Sequence, residues 1–578
     1  MDAADVRDLS PRTFWISLLL ILALAALLRG AFPVADPPWR TTVGIVWHDE
    51  GAWVHNARNR ALFGAWTQDA WNPMYIAPVF SALEYASFRT FGVGLWQARL
   101  VSEILGWLSV LLLVLGVGKI AGRRAGLIAG VLLSTNYVYV MWNRTAMMEG
   151  PMTAFMVASW YCYVRTESSP RWGWGAAIFA FLAFFTKAAS AFFVAAVGLD
   201  ALLRIAFAAD RSDRQTRAAI TTVIALVVCG AAALLLFVVP NWTEYQFYNW
   251  QMSVTRKPSY DLQSLAYRVT AFPVLHDMFT RMWFTLVLGT AAALGVLARW
   301  RVASAGERLL GLWLALGTLE LMLHDVGNER RFVFFIPALV ALASIALGRD
   351  RSILPDEAKT VSRRGAWLAA PLIAYASYVA LASIIRVGFL YEIRPNVRLG
   401  AAGAVLLTGL VLATWPKVPG WLSGTKWTPR AAVLVALLVG AGQVVQYAQW
   451  ASGRTSRNYD ASVLLGQVLP PGTLVHGKLA NGLSLENRIR PVFVGHGFGN
   501  FEDRKTRDDV RYILTYVAPR VGYEGSQIID VLDAYPHRSI IMTFDVAETA
   551  TGFDRAALID KFGAVPEGKR QTAGRAKD

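Results

Sequence analysis

Apolar residues in this chain fall in blocks of roughly 17 to 22, the length that crosses a hydrocarbon core of ~30 Å. Thirteen such blocks lie near 13–32, 99–118, 125–142, 148–165, 172–187, 188–206, 218–239, 281–298, 308–324, 331–348, 365–385, 399–415 and 430–449. Backbone polar groups in lipid must be satisfied within the segment, so each block is expected to be a transmembrane helix. The rest of the composition agrees. Of 578 residues, 55% are hydrophobic and only 17% charged, against about 25% in soluble proteins. The first block, "FWISLLLILALAALL" (14–28), lacks a small-residue cleavage pattern and more spans follow it, so it reads as a retained anchor. Cys162 and Cys229 both sit inside apolar blocks and read as small core residues.

Alternate loops are rich in Lys and Arg: "KIAGRRAG" (119–126), "RIAFAADRSDRQTR" (204–217), "RWRVASAGER" (299–308), "RDRSILPDEAKTVSRR" (349–364) and "KVPGWLSGTKWTPR" (417–430). The positive-inside rule makes this set cytoplasmic. It also accounts for much of the net charge of +16 without a nucleic-acid partner. The expected topology is a multi-pass protein of the cell membrane with a cytoplasmic N-terminus. Residues 1–449 would form the membrane domain, with a long outer loop at 33–98. Residues 450–578 would form an extracytoplasmic α/β domain. Its strand-like runs are "TLVHG", "RPVFVG", "RYILTYV" and "SIIMTF", and its helix-like runs are "DASVLLGQVL", "SQIIDVLDAY" and "DRAALIDKFG".

Charges near the ends of membrane helices are costly and usually functional. Here they gather on the outer side: Asp49 and Glu50 in the first outer loop, Arg144 and Glu149 around "NRTAMMEGPM", Lys187 in "FFTKAAS", and His324, Asp325, Glu329, Arg330 and Arg331 in "HDVGNERRFVFFIP", with Arg256 and Lys257 in the 240–280 loop. Simpler readings exist. Arg144 suits an interfacial snorkeller, and Glu149 beside Pro151 suits a helix start. Lys187 resists such a reading, because an ammonium inside an apolar run needs a partner or an anion. Taken together, cations at headgroup depth suit a lipid phosphate, and an outward carboxylate suits a general base. That combination fits transfer of a group from a lipid-linked phosphate to a hydroxyl.

These segments resemble the GT-C glycosyltransferases, in particular bacterial protein O-mannosyltransferases and the lipid A aminoarabinose transferase. The likeness rests on "HDEGAWVHNARNRALFG", "WNPMYIAPVFSALEYASFRTFGVGLWQARLVS", "NYVYVMWNRTAMMEGPMTAFM", "FLAFFTKAAS" and "ERRFVFFIPALVAL", across about residues 13 to 348. The resemblance implies a mostly α, GT-C fold and an inverting transferase that uses a polyprenyl-phosphate sugar. It implies Asp49 as catalytic base and Glu50 as the residue that orients the acceptor or Asp49's neighbours. Lys187, Arg330 or Arg331, and Arg144 would hold the donor phosphate, and Glu149, His324 and Asp325 would shape the site. Glu149 stands where many members have Asp, and "NPMY" replaces a Pro-Pro lead. The acceptor, whether protein, lipid or glycan, is not specified. Cofactor use is open: Asp49, Glu149, His324 and Asp325 together offer donors for a divalent metal. The rival class is a transporter or flippase of lipid-linked substrates. It would favour mid-membrane charges and an internal repeat, neither of which is found.

Overall fold

A computed structural model describes residues 9–38, 48–208, 213–251, 260–275, 278–323, 329–349, 367, 370–387, 397–414, 428–495, 498–517, 531–547 and 554–563. Arg256, Lys257, His324 and Asp325 lie outside them.

A helix occupies each of the thirteen expected positions. The first is α1 (Pro11–Gly30), capped by Ser10, whose Oγ accepts the Thr13 N–H at 3.2 Å while Pro11 takes the first turn. Two short helices of the first loop, α2 (His48–Trp53) and α3 (His55–Phe63), lead to α4 (Pro78–Phe91). Then come α5 (Leu95–Ala121), α6 (Arg123–Thr135), α7 (Tyr137–Asn143), α8 (Glu149–Arg165), α9 (Trp172–Thr186), α10 (Ala191–Ala206) and α11 (Arg214–Ala233). The later half holds α12 (Trp283–Ala298), α13 (Ala305–Leu323), α14 (Phe335–Gly348), α15 (Ala370–Val387), α16 (Val397–Ala413) and α17 (Pro429–Ser452). One apolar core runs from Phe14 to Tyr447, with α14 packed against α6 and α12 near its centre. Large apolar side chains such as Leu20 (67% exposed) and Leu236 (80%) face outward, a surface suited to lipid and not to water.

The helices vary in length. Among the described residues, five are long and apolar enough to cross a membrane, and a sixth span arises if one bent pair counts as one. That pair corrects the single helix expected over 125–142. It is α6 and α7, bent by 62°. The bend frees backbone donors that find side-chain partners. Asn136 Oδ1 accepts the Tyr139 N–H and Gln443 Oε1, from α17, accepts the Tyr137 N–H, both at 2.9 Å. Satisfying those donors is what permits a break inside an apolar layer.

Beyond α17 the chain forms α18 (Arg457–Val468), β1 (Leu474–His476), α19 (Lys478–Gly482), β2 (Arg490–Val492), β3 (Tyr512–Tyr516), β4 (Ser539–Val546) and β5 (Asp554–Asp560). The sheet order is β2-β1-β3-β5-β4, with β1 parallel to β2 and β3, and β5 antiparallel to β3 and β4. Here the helix expected for "DRAALIDKFG" is wrong, because Asp554–Asp560 is a strand. It pairs on both edges and packs on both faces, with Ala556 and Leu558 in one core and Ala557 and Ile559 in another. A strand buried on both sides has no alternating pattern, so its apolar run looks like a buried helix.

His476, at the end of β1, is fully buried, with no hydrogen-bond partner for either ring nitrogen among the described residues. Burial, helped by nearby Lys561, Arg507 and Arg504, lowers its pKa from 6.5 to about 3. The unfolded chain therefore binds one more proton than the folded chain between those values, so stability rises with pH across that window. Acid titration followed by far-UV circular dichroism should show the sheet losing structure as pH falls from 6.5 toward 3. His476→Phe should flatten that dependence.

Candidate active site

Four segments that are remote in sequence meet at one end of the helix bundle. Asp49 lies in the first turn of α2, and Glu149 opens α8. Lys187 sits at the break after α9, where its extended backbone (φ −159°, ψ 121°) ends one helix before Ser190 leads into α10. Arg330 and Arg331 belong to a 3-10 turn, Glu329–Phe332, just before α14. Each charge stands at an end of a helix or in a turn, where backbone groups and space allow polar side chains into an apolar bundle.

The side chains form a connected group. Arg330 Nη1 donates to Asp49 Oδ2 at 2.8 Å, and Arg330 Nε lies 3.6 Å from Glu149 Oε1. Lys187 Nζ donates to the same Glu149 oxygen. Asp49 Oδ1 lies 3.5 Å from Nε2 of the buried His48. The side chain of Glu149 is 1% exposed, whereas those of Asp49, Lys187 and Arg330 are 12%, 15% and 17% exposed. Glu149 is thus the buried member that fixes two cations, while Asp49 and the two cations keep some exposure. Arg331 follows Arg330 in the same turn and adds a positive charge close enough to act on Lys187.

Two expected site residues take other positions. Glu50 turns away from Asp49. Its Oε1 and Oε2 accept from Arg99 Nε and Nη2, both at 2.8 Å, and Oε1 also accepts the Ala146 N–H at 2.9 Å. Arg99 further donates to the carbonyls of Pro33 and Ala35. Glu50 is therefore a buried brace joining α2, α5 and the turn before α8. Removing one partner of such a pair leaves a buried charge uncompensated, at roughly 3–5 kcal/mol. Glu50→Ala should accordingly lower the thermal unfolding temperature in detergent sharply, and the added change Arg99→Met should recover part of the loss. Arg144 does not join the cation group either. It donates to the carbonyls of Leu28, Arg29 and Phe32 and stacks on Trp450, 4.7 Å from the ring centre. Its guanidinium closes the carbonyl end of α1, so its geometry is that of a helix cap and not of a phosphate ligand.

Arg99 has no distinguishing signal in the sequence, and its carboxylate partner, 49 residues away, reveals its role. Among the described residues, no group of three or more His, Cys, Asp or Glu is arranged to hold a metal ion. Asp49 and Glu149 are both engaged by cations, and the other two candidate ligands fall outside the described residues.

Known proteins bear on this arrangement in three ways. Residues 76–243 match the family described as dolichyl-phosphate-mannose-protein mannosyltransferase, a stretch that contains Glu149 and Lys187 but neither Asp49 nor Arg330. No curated protein matches the chain in sequence. Among solved structures, ArnT from Cupriavidus metallidurans in the apo state has a TM-score of 0.53 at 16% identity, covering 96% of this chain and 100% of that one. The fold is that of a GT-C glycosyltransferase. ArnT bound to undecaprenyl phosphate gives a TM-score of 0.51 at 16% identity, over 96% of this chain and 99% of that one. A third GT-C neighbour is the Archaeoglobus fulgidus oligosaccharyltransferase tethered to an acceptor peptide, with a TM-score of 0.42 at 12% identity over 94% and 74% of the two chains.

Proposed function

We propose that this chain is an integral-membrane, inverting glycosyltransferase with thirteen membrane crossings. It moves a sugar from a polyprenyl-phosphate donor to a hydroxyl acceptor on the extracytoplasmic face. The observation that carries this reading is the linked group Asp49–Arg330–Glu149–Lys187 at one end of an apolar bundle. The fold shared with an ArnT crystallised with undecaprenyl phosphate supports a lipid phosphate as the donor group.

In the transfer step, the acceptor oxygen bonds to the anomeric carbon as the bond from that carbon to the phosphate oxygen breaks. The electron pair leaves with the polyprenyl phosphate, which gains negative charge. Lys187, Arg330 and Arg331 offset that charge where it develops, typically the largest electrostatic need of such a step. The acceptor proton passes to Asp49. A carboxylate is a weak base for an alcohol, so proton transfer is concerted with departure of the phosphate. Glu149 holds Lys187 and Arg330 in place and takes no proton.

The test is to offer the purified protein a panel of polyprenyl-phosphate monosaccharides with mixed protein, lipid and glycan acceptors, and to identify products by mass spectrometry. Consumption of one donor with a matching mass gain on an acceptor is expected. No consumption of any donor removes the reading.

A further inference from the structure

The short helix that carries Asp49 rests on the distant C-terminal part of the chain. A Cβ built on Gly51 would lie 1.8 Å from the carbonyl oxygen of Asn481. Helices α2 and α19 therefore touch backbone to backbone, and only glycine fits at position 51. One helical turn on, the Asn481 side-chain amide meets His55 Nδ1 at 3.0 Å, across 426 residues of sequence. His55 Nε2 lies 3.0 Å from Asp69 Oδ1, and Asp69 Oδ2 accepts the Phe493 N–H at 2.8 Å. His55 Nε2 also lies 3.0 Å from the Asn59 side-chain amide, so the contacts run from the C-terminal segment through the first loop and back. Arg58, fully buried, adds bonds to the carbonyls of Ser484, Asn487 and Ile489. Glu486 accepts the Leu95 N–H at 2.6 Å, so the same segment also grips the start of α5.

A structural tether would need only a few of these contacts, anywhere on the loop. Instead the backbone-to-backbone contact falls two residues from Asp49, on a helix of six residues that has little rigidity of its own. We infer that the segment 481–493 is a positioning platform for the catalytic base, with Gly51 and Asn481 as positioning residues that set Asp49 against Arg330. The inference rests on the glycosyl-transfer reading for its effect on rate, and on geometry alone for its effect on the Asp49–Arg330 pair.

The platform predicts a split in the kinetics. Gly51→Ala pushes α2 off Asn481, and a misplacement on the order of 1 Å costs about 10²-fold in kcat, while donor KM stays near wild type because Lys187 and Glu149 are untouched. Asn481→Ala keeps the carbonyl contact and loses only the bond to His55, so kcat falls roughly tenfold or less. A second readout needs no turnover. In thermal unfolding, the coupling between Asp49→Asn and Arg330→Met should be present with Gly51 and lost in the Gly51→Ala background. If Gly51→Ala does not fold, the same cycle and kinetics in Asn481→Ala decide, with weakened coupling expected. Wild-type kcat in the variants, or kcat and donor binding falling together in step with unfolding temperature, would overturn the platform, as would unchanged coupling. A wild-type protein that transfers no sugar would instead count against the glycosyl-transfer reading, leaving the coupling measurement to judge the platform.

Discussion

Asp49→Asn should reduce sugar transfer by ~10²–10⁴-fold, the usual worth of a positioned proton acceptor. The change keeps the shape of the side chain and an oxygen for Arg330 Nη1, which now bonds Asp49 Oδ2 at 2.8 Å, but removes the negative charge that takes the proton. Folding should survive, because Asp49 is not the buried brace of this region; its neighbour Glu50 is. The measurement is single-turnover transfer beside the unfolding temperature in detergent. A normal unfolding temperature with lost turnover is expected. Wild-type turnover by the variant would remove Asp49 from the chemistry.

Lys187→Met should cost ~10²–10³-fold in kcat, the loss typical when one preorganised group facing developing charge is deleted. This variant also strips Glu149 of one of its cations, and a carboxylate 1% exposed does not tolerate that easily. Two effects are therefore mixed, and a second change separates them. Adding Glu149→Gln removes the buried charge, so the double variant should regain unfolding temperature yet stay inactive. If it regains turnover as well, Lys187 serves only to neutralise Glu149 and has no part in handling phosphate.

The side chains that meet at this site were legible in the sequence for one physical reason. Charge in an apolar chain is expensive, so Asp49, Glu149, Lys187 and Arg330 stood out, and their common end of the bundle followed from the loops between helices. The same signal misled at Arg144, whose charge is satisfied by the carbonyls of Leu28, Arg29 and Phe32. Backbone partners leave no trace in composition. Glu50 could not be separated from Asp49 by sequence, since adjacent helical positions point about 100° apart and only the packing decides which faces Arg99. The bend between α6 and α7 was hidden because one of the two side chains that satisfy it, Gln443, comes from α17. Least visible was the contact between α2 and α19. It depends on a glycine, a backbone carbonyl and neutral amides, none of which is rare.

Bond breakage at a lipid phosphate is the step proposed for this cluster. The most direct measurement follows a purified sample with a labelled polyprenyl-phosphate sugar, quantifying released polyprenyl phosphate and glycosylated acceptor and assigning the new anomeric configuration by NMR. The two products are expected mole for mole, with the configuration inverted. Retained configuration, or intact lipid-linked sugar moved across the bilayer with no polyprenyl phosphate released, would contradict it.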